Sequence, residues 1–436
     1  MAIAKIPRFT VAKSLRYLCF AGLLLAAWAL FRMLEPVLTW SSGWQGLPSE
    51  SAFAAVSDSA VQTKPSLTDL ATQPDVTQPD VTTQANAALR ESRARLQAPA
   101  LSAAVMLNGT RVWAAAVGFA DIAQAKPVNL QSRFRLGSSS KTLNALTMAR
   151  LIDAGKVDIE RSVRHYLPEL PGSYQAVTTR MAITHTAGVP HYGLCFCFPI
   201  WEHKNRRHFD NARAALGVFV DRPLRFTPGS NFQYSSYGTN LVGAVLESAS
   251  GQNFPELVAA QVLMPLGMVD SKADIFDTLD AQRVQFYEVT EGRYKLADPT
   301  DNSIRYPAGG MLSTPSDMLA AGNALLVDGF LSNATRVRLL NPQKLSDGSM
   351  NPQNYALGIR VFDDKKLFKE RVTTSFYSHH GTAIGSTSYF AVYPEYRMVI
   401  SIMMNKGQEN LNALGVEANA IAELFIAPLI ANSDQP

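Results

Sequence analysis

From Tyr17 to Phe31 the chain runs YLCFAGLLLAAWALF without a charge. Lys5, Arg8, Lys13 and Arg16 precede it with no acid among residues 1–16, and beyond Arg32 the stretch to Trp40 is again mostly apolar. A basic segment followed by about 20 apolar positions is the pattern of a signal anchor, and no small-residue cleavage site follows closely. Residues 17–40 are therefore expected to form one membrane-spanning helix behind a basic segment, 1–16. The rest of the chain then lies across the membrane from those charges. Patterning next vanishes. Residues 41–86 are rich in Ser, Thr, Gln and Pro, and TQPDV occurs twice in succession, at Thr72–Val76 and Thr77–Val81. With neither a helical nor a strand period, the tract is predicted to be a disordered tether. As a random coil it would span roughly 35–40 Å on average.

Order returns at about residue 87 and lasts to residue 436. Leu101–Leu107 and Arg111–Val117 are apolar runs around Asn108-Gly109-Thr110, a strong hairpin signal. Thr387–Val392 and Met398–Met403 flank Pro394-Glu395 and predict a second hairpin. Helical patterns lie between them, notably Lys141–Ala154 and Thr239–Ser250, the latter stopping at Gly251 as helices commonly do. Strands at both ends with helices between predict an α+β domain, its antiparallel sheet built from the two termini around an inserted helical region. Two separate domains would need a central linker, and none is visible.

Composition changes this picture little. Hydrophobic residues are 47% and charged residues 17% of the 436, as in a folded globular chain. The net charge of +4 is small and partly N-terminal, so nucleic acid is not an expected partner. The three cysteines, Cys19, Cys195 and Cys197, suggest no disulfide framework. Cys195 and Cys197 near His191 and His203 can in principle take a metal, but zinc sites usually pair ligands at wider spacings, so two loop thiols and no metal are expected.

Three segments can carry chemistry. Gly137-Ser138-Ser139-Ser140-Lys141 leads into a helix. Positions three apart share a helix face, so Ser138 and Lys141 would point the same way. The helix start favours a developing oxyanion, and a buried lysine gives up its proton more readily. Ser is also an ordinary helix cap, and one Ser-x-x-Lys is a weak signal. Tyr234-Ser235-Ser236 precedes the second helical pattern; a phenol among cations can relay protons, although a lone tyrosine is more often core. His379-His380-Gly381-Thr382 leads into a strand, where a glycine lets a substrate approach the backbone.

Taken together, their order and separation resemble the serine β-lactamase, penicillin-binding-protein and carboxylesterase superfamily, with its Ser-x-x-Lys, Tyr-x-Asn and Lys/His-x-Gly elements. Phe134-Arg135-Leu136-Gly137, Ile183–Pro190 (ITHTAGVP), Phe226–Ser230 (FTPGS) and Pro307–Thr314 (PAGGMLST) agree as well, over roughly residues 98–425. Within it the chain resembles the mitochondrial serine β-lactamase-like proteins and their bacterial relatives, through Val177–Arg180, Arg293–Gly310, Gly322–Ala324 and Ser378–Thr387. The resemblance implies a β-lactamase-like fold in which Ser138 forms an acyl-enzyme and Lys141 and Tyr234 move protons. It implies that the N–H groups of Ser138 and Thr382 form the oxyanion hole, that His379 and Gly381 lie on the substrate strand, and that Ser236 contacts substrate. His185 aligns with a structural turn. His191, His203 and His208 are expected at the surface or in structural roles. Two positions depart from the pattern: Ser236 replaces an asparagine, and His379 a lysine that pairs with a drug's carboxylate. A mostly neutral histidine is a weaker anchor for that carboxylate.

The sequence thus predicts a membrane-anchored serine hydrolase, without cofactor, acting on a small peptide through acyl-Ser138. An esterase or weak β-lactamase is the alternative among enzymes, and an idle scaffold on the same fold is the alternative outside them. The bacterial periplasm is the expected compartment and the mitochondrial intermembrane space the alternative. The oligomeric state is not indicated.

Overall fold

A computed structural model describes residues 20–31, 42–58, 79–193, 202–204, 206–407 and 410–433. Cys19, Cys195, Cys197, the whole basic segment, and residues 17–19 and 32–40 of the anchor fall outside them. Within the anchor, Phe20–Phe31 is an apolar helix with exposed side chains, shorter than a membrane span.

The centre is an antiparallel sheet. Its strands are β1 (Ala55–Asp58), β2 (Ala100–Leu107), β3 (Thr110–Asp121), β4 (Arg360–Leu367), β5 (Val372–Ala383), β6 (Ser386–Tyr393) and β7 (Met398–Met404). Their order is β4-β5-β6-β7-β2-β3-β1, so strands from the two ends of the domain meet at β7–β2, as the α+β expectation requires. Asn108 and Gly109 have φ of 49° and 78°, the left-handed pair that a two-residue hairpin needs. Both sheet faces are covered, which is why β7 reads as the unbroken run MVISIMM and is buried along its whole length.

On one face, Leu101, Ala103, Val105, Ile400 and Ile402 pack against α1 (Pro79–Leu96) and α4 (Leu411–Ser433). α4 is long and apolar enough to cross a membrane, yet Leu414, Ala418, Ile421, Ala422 and Phe425 are all buried on the sheet. That stripe repeats every three or four residues, as in a core-facing helix. Glu417 of α4 accepts from Ser92 at 2.6 Å and Arg95 at 2.7 Å, tying the two terminal helices together.

On the other face lies the helical region, with α2 (Ser140–Asp153) and α3 (Ser236–Ser250). α2 is buried on nearly all sides, from Ser140 through Ala149. Asn144 donates to the carbonyls of Thr239 and Pro307, both at 3.2 Å, and so joins α2, α3 and the turn after residue 305. α3 starts where Ser235 Oγ accepts from Gly238 N and ends at Gly251 with φ of 72°.

The tether expectation needs correction. Gln45 and Gly46 pair with Tyr294 and Arg293, β1 forms the sheet edge against β3, and α1 already begins at Pro79, inside the second repeat. Arg93, buried in α1, contacts Glu50 and stacks over Phe53 at 3.6 Å. A polar composition hid these contacts because each uses backbone pairing or a single anchor residue instead of a periodic apolar face.

Candidate active site

Gly137–Ser139 form a tight turn directly before α2, with Gly137 at φ 50°. The three consecutive serines take different positions. Ser139 Oγ lies 2.8 Å from Ser388 Oγ, and Ser140 Oγ accepts from Met311 N at 3.3 Å; both residues are buried. Ser138 lines a cleft of about 1320 Å³.

Lys141, fully buried one turn along, places Nζ 3.2 Å from both Ser138 Oγ and Ser236 Oγ and donates to Ala308 O at 2.8 Å. Among the described residues no carboxylate pairs with it. Burial, and then the nearby charge of Arg360, hold its pKa well below the usual lysine value. The result is an amine with a strong tendency to stay neutral, within reach of a serine hydroxyl. Tyr234 also lines the cleft; burial raises its phenol to about 12, so the proton stays on it. Lys141 Nζ sits 4.9 Å above the Tyr234 ring.

Strand β5 meets the nucleophile turn directly. β4 pairs with β5 only as far as Ser378, which leaves His379–Ala383 uncovered on that side. A Cβ on Gly381 would lie 2.7 Å from Ser138 N, and one on Gly137 would lie 2.8 Å from Thr382 N. Two glycines thus allow the backbones carrying these N–H groups to touch. An arrangement of hydroxyl, neutral amine, phenol and paired backbone donors can transfer an acyl group through serine.

Histidine 379 is not placed as a carboxylate anchor. It is fully buried: Nδ1 lies 2.7 Å from the His380 carbonyl and Nε2 lies 2.9 Å from Tyr355 Oη. The carbonyl can only accept, so Nδ1 carries the proton, and in the neutral ring Nε2 accepts from the phenol. Burial also pushes its pKa well below the ordinary value. Strand alternation sends His380 to the cleft instead. Ser236 does line the cleft, but its hydroxyl is engaged by Lys141.

His185, at φ 63°, accepts from Ser235 N through Nδ1 and packs its ring 4.2 Å from that of Tyr234. It supports the phenol from behind. His208 pairs with Asp301, while His191 and His203, expected at the surface or in structural roles, line the cleft. Sequence reasoning also missed Arg360 and Arg305, which line the same cleft. Arg360 stands beside Ser378 in β4, a neighbour only once the strands pair, and no local motif marks it.

Residues 85–422 match the family model described as Beta-lactamase. The chain belongs to the Beta-lactamase family. It is similar to the serine beta-lactamase-like protein LACTB, mitochondrial, of Homo sapiens, 27% identical over 379 residues that cover 68% of this chain and 69% of that protein. It is 33% identical over 179 residues to Esterase EstB of Burkholderia gladioli, covering 38% and 45% of the two. A penicillin-binding protein from Bacillus halodurans superposes with a TM-score of 0.63 at 25% identity, over 75% of this chain and 97% of that one. This Beta-lactamase family member therefore has the β-lactamase-like α+β fold expected for it, and it is a serine hydrolase.

Proposed function

We propose that this hydrolase cleaves small peptides through an acyl-Ser138 intermediate. Neutral Lys141 takes the Ser138 proton as Oγ attacks the carbonyl carbon, and the oxyanion is held by the N–H groups of Ser138 and Thr382. The proton passes by Lys141 and Tyr234 to the leaving nitrogen, and the C–N bond breaks. Water then gives a proton to the same pair as it attacks the acyl carbon, the bond from that carbon to Ser138 Oγ breaks, and the proton passes to Oγ. Gly381 lets the substrate strand reach the turn, and Ser236 holds Lys141 in place. The observation that carries this reading is a buried, acid-free Lys141 within 3.2 Å of the one cleft-facing serine of three.

An esterase is the second reading, supported by the likeness to EstB. Turnover of a peptide amide and of an ester with the same acyl group separates the two. The peptidase reading requires the amide to turn over and to acylate Ser138; hydrolysis of the ester alone selects the esterase, and turnover that survives Ser138→Ala refutes both.

The chain is further proposed to be a single-pass membrane protein through residues 17–40, with its catalytic domain in the periplasm. Only residues 32–44 separate the described apolar helix from the docked Gln45, a reach of at most about 50 Å even fully extended. The mitochondrial intermembrane space is the alternative, which the name of the LACTB relative supports. Protease accessibility in intact cells tests it: a domain digested from the cytoplasmic side contradicts this topology.

A further inference from the structure

Two guanidinium groups line the catalytic cleft with donors that have no acceptor among the described residues. Arg360 gives Nε and Nη2 to Gln353 Oε1, at 3.1 and 2.6 Å, while its buried Nη1 has no acceptor among the described residues. Arg305 is only 8% exposed; Nη1 donates to His203 O at 2.8 Å, and its buried Nε and Nη2 have no acceptor among the described residues. Neither arginine has an ion-pair partner there. Buried charged donors without acceptors are rare and costly, and they mark places where something else supplies the acceptor.

Both arginines line the same cleft as Ser138. Arg360 stacks over the rings of Tyr234 (5.8 Å) and Tyr355 (5.3 Å), and Tyr234 lines the cleft together with Ser138. Arg305 stacks over Tyr192 (5.8 Å), which lines the cleft together with Ser236, the neighbour of Lys141. Glu288, the acid on the described cleft wall, is engaged by Lys295. The neutral, enclosed His379 supplies no positive charge, and of the cleft's lysines Lys204 is paired with Asp298 and Lys406 donates to the Leu96 carbonyl, which leaves the two arginines as the cations with donors still lacking an acceptor among the described residues. A guanidinium fork matches a carboxylate better than an ammonium does.

We propose that the cleft is built for a dianionic acyl substrate, one carboxylate received by Arg360 and a second by Arg305. The proposal rests on the acyl-serine reading above. It is tested with four aryl esters: neutral, carboxylate on the acyl chain, carboxylate on the leaving group, and both. In the wild type, kcat/KM is expected to rise about tenfold or more with each carboxylate, as charge-assisted hydrogen bonds allow, and the gain is expected to shrink at high salt.

Arg360→Gln is expected to erase the gain from one carboxylate and Arg305→Gln the gain from the other. Because the readout is a ratio between substrates on one variant, loss of folded protein does not alter it. Equal kcat/KM for neutral and charged esters in the wild type overturns the proposal. So do arginine variants that lower all four esters alike, which would mean structural roles. If even the neutral ester fails to acylate wild-type Ser138, the hydrolase reading itself fails, and that outcome is distinct from equal turnover of all four.

Discussion

Gly381→Ala is the smallest change that should separate the nucleophile from its supporting strand. The added Cβ would lie 1.9 Å from Leu136 O and 2.7 Å from the backbone nitrogens of both Ser138 and Ser139. All three are backbone atoms, so no side-chain rotation relieves the clash. Reaching the 3.4 Å where ordinary contact begins requires a displacement of about 1.5 Å between β5 and the turn. Misplacement of reacting groups by about 1 Å typically costs about 10²-fold in rate, or some 2.7 kcal/mol in the barrier. Overpacking of this kind costs a further 1–3 kcal/mol or so of stability. The assay is the rate of covalent labelling by a fluorophosphonate, measured on folded protein well below its melting temperature. Gly172→Ala is the control, since a Cβ there meets nothing within 4 Å. Labelling of Gly381→Ala at a rate within about threefold of wild type would refute the idea that this contact positions Ser138.

Lys141→Met should slow labelling by roughly 10²–10⁴-fold while leaving the domain folded. Lys141 has a lowered folded pKa, so below its unfolded value the unfolded chain binds more protons. From pH 7 to 10 the wild type should therefore gain stability relative to Lys141→Met, by up to about 1.4 kcal/mol per pH unit; thermal melts at several pH values check the sign. Arg360→Gln removes a charge that depresses Lys141, so the acid limb of the labelling rate should move to higher pH, and an unmoved limb contradicts the coupling. His379→Lys should lower stability by about 2–3 kcal/mol, because it buries an ammonium where a neutral ring now bonds Tyr355, and should bring no gain on a carboxylate-bearing penicillin; a penicillin-selective gain would return His379 to the anchor role. A chain beginning at residue 79 should fold, whereas one beginning at 87 loses Val81 and Ala85 from the core and should melt lower.

The hairpins, the helix after Ser138 and the meeting of both chain ends in one sheet were readable because each rests on local periodicity or turn chemistry. Asn108-Gly109 and the run after Lys141 needed no tertiary knowledge. Ser138 and Lys141 were found through their spacing and Tyr234 through the family resemblance, and the structure brings all three together. His379 was misplaced because the distinction between it and His380 is a matter of which strand face looks into the cleft, and alternation alone does not say which. Arg360 and Arg305 were invisible for another reason: their significance comes from donors left without acceptors, a property of the folded surroundings. The segment 42–58 escaped because an edge strand of four residues carries too little pattern to stand out from a polar tract.

The central claim is that Ser138 is the acylated atom's owner and that Ser139 and Ser140 are structural. The direct measurement is mass mapping of the peptide labelled by a fluorophosphonate in the folded protein, with Ser138→Ala alongside. The label should sit on Ser138 alone and vanish in Ser138→Ala. A label on any other serine, or undiminished labelling of Ser138→Ala, would contradict the account.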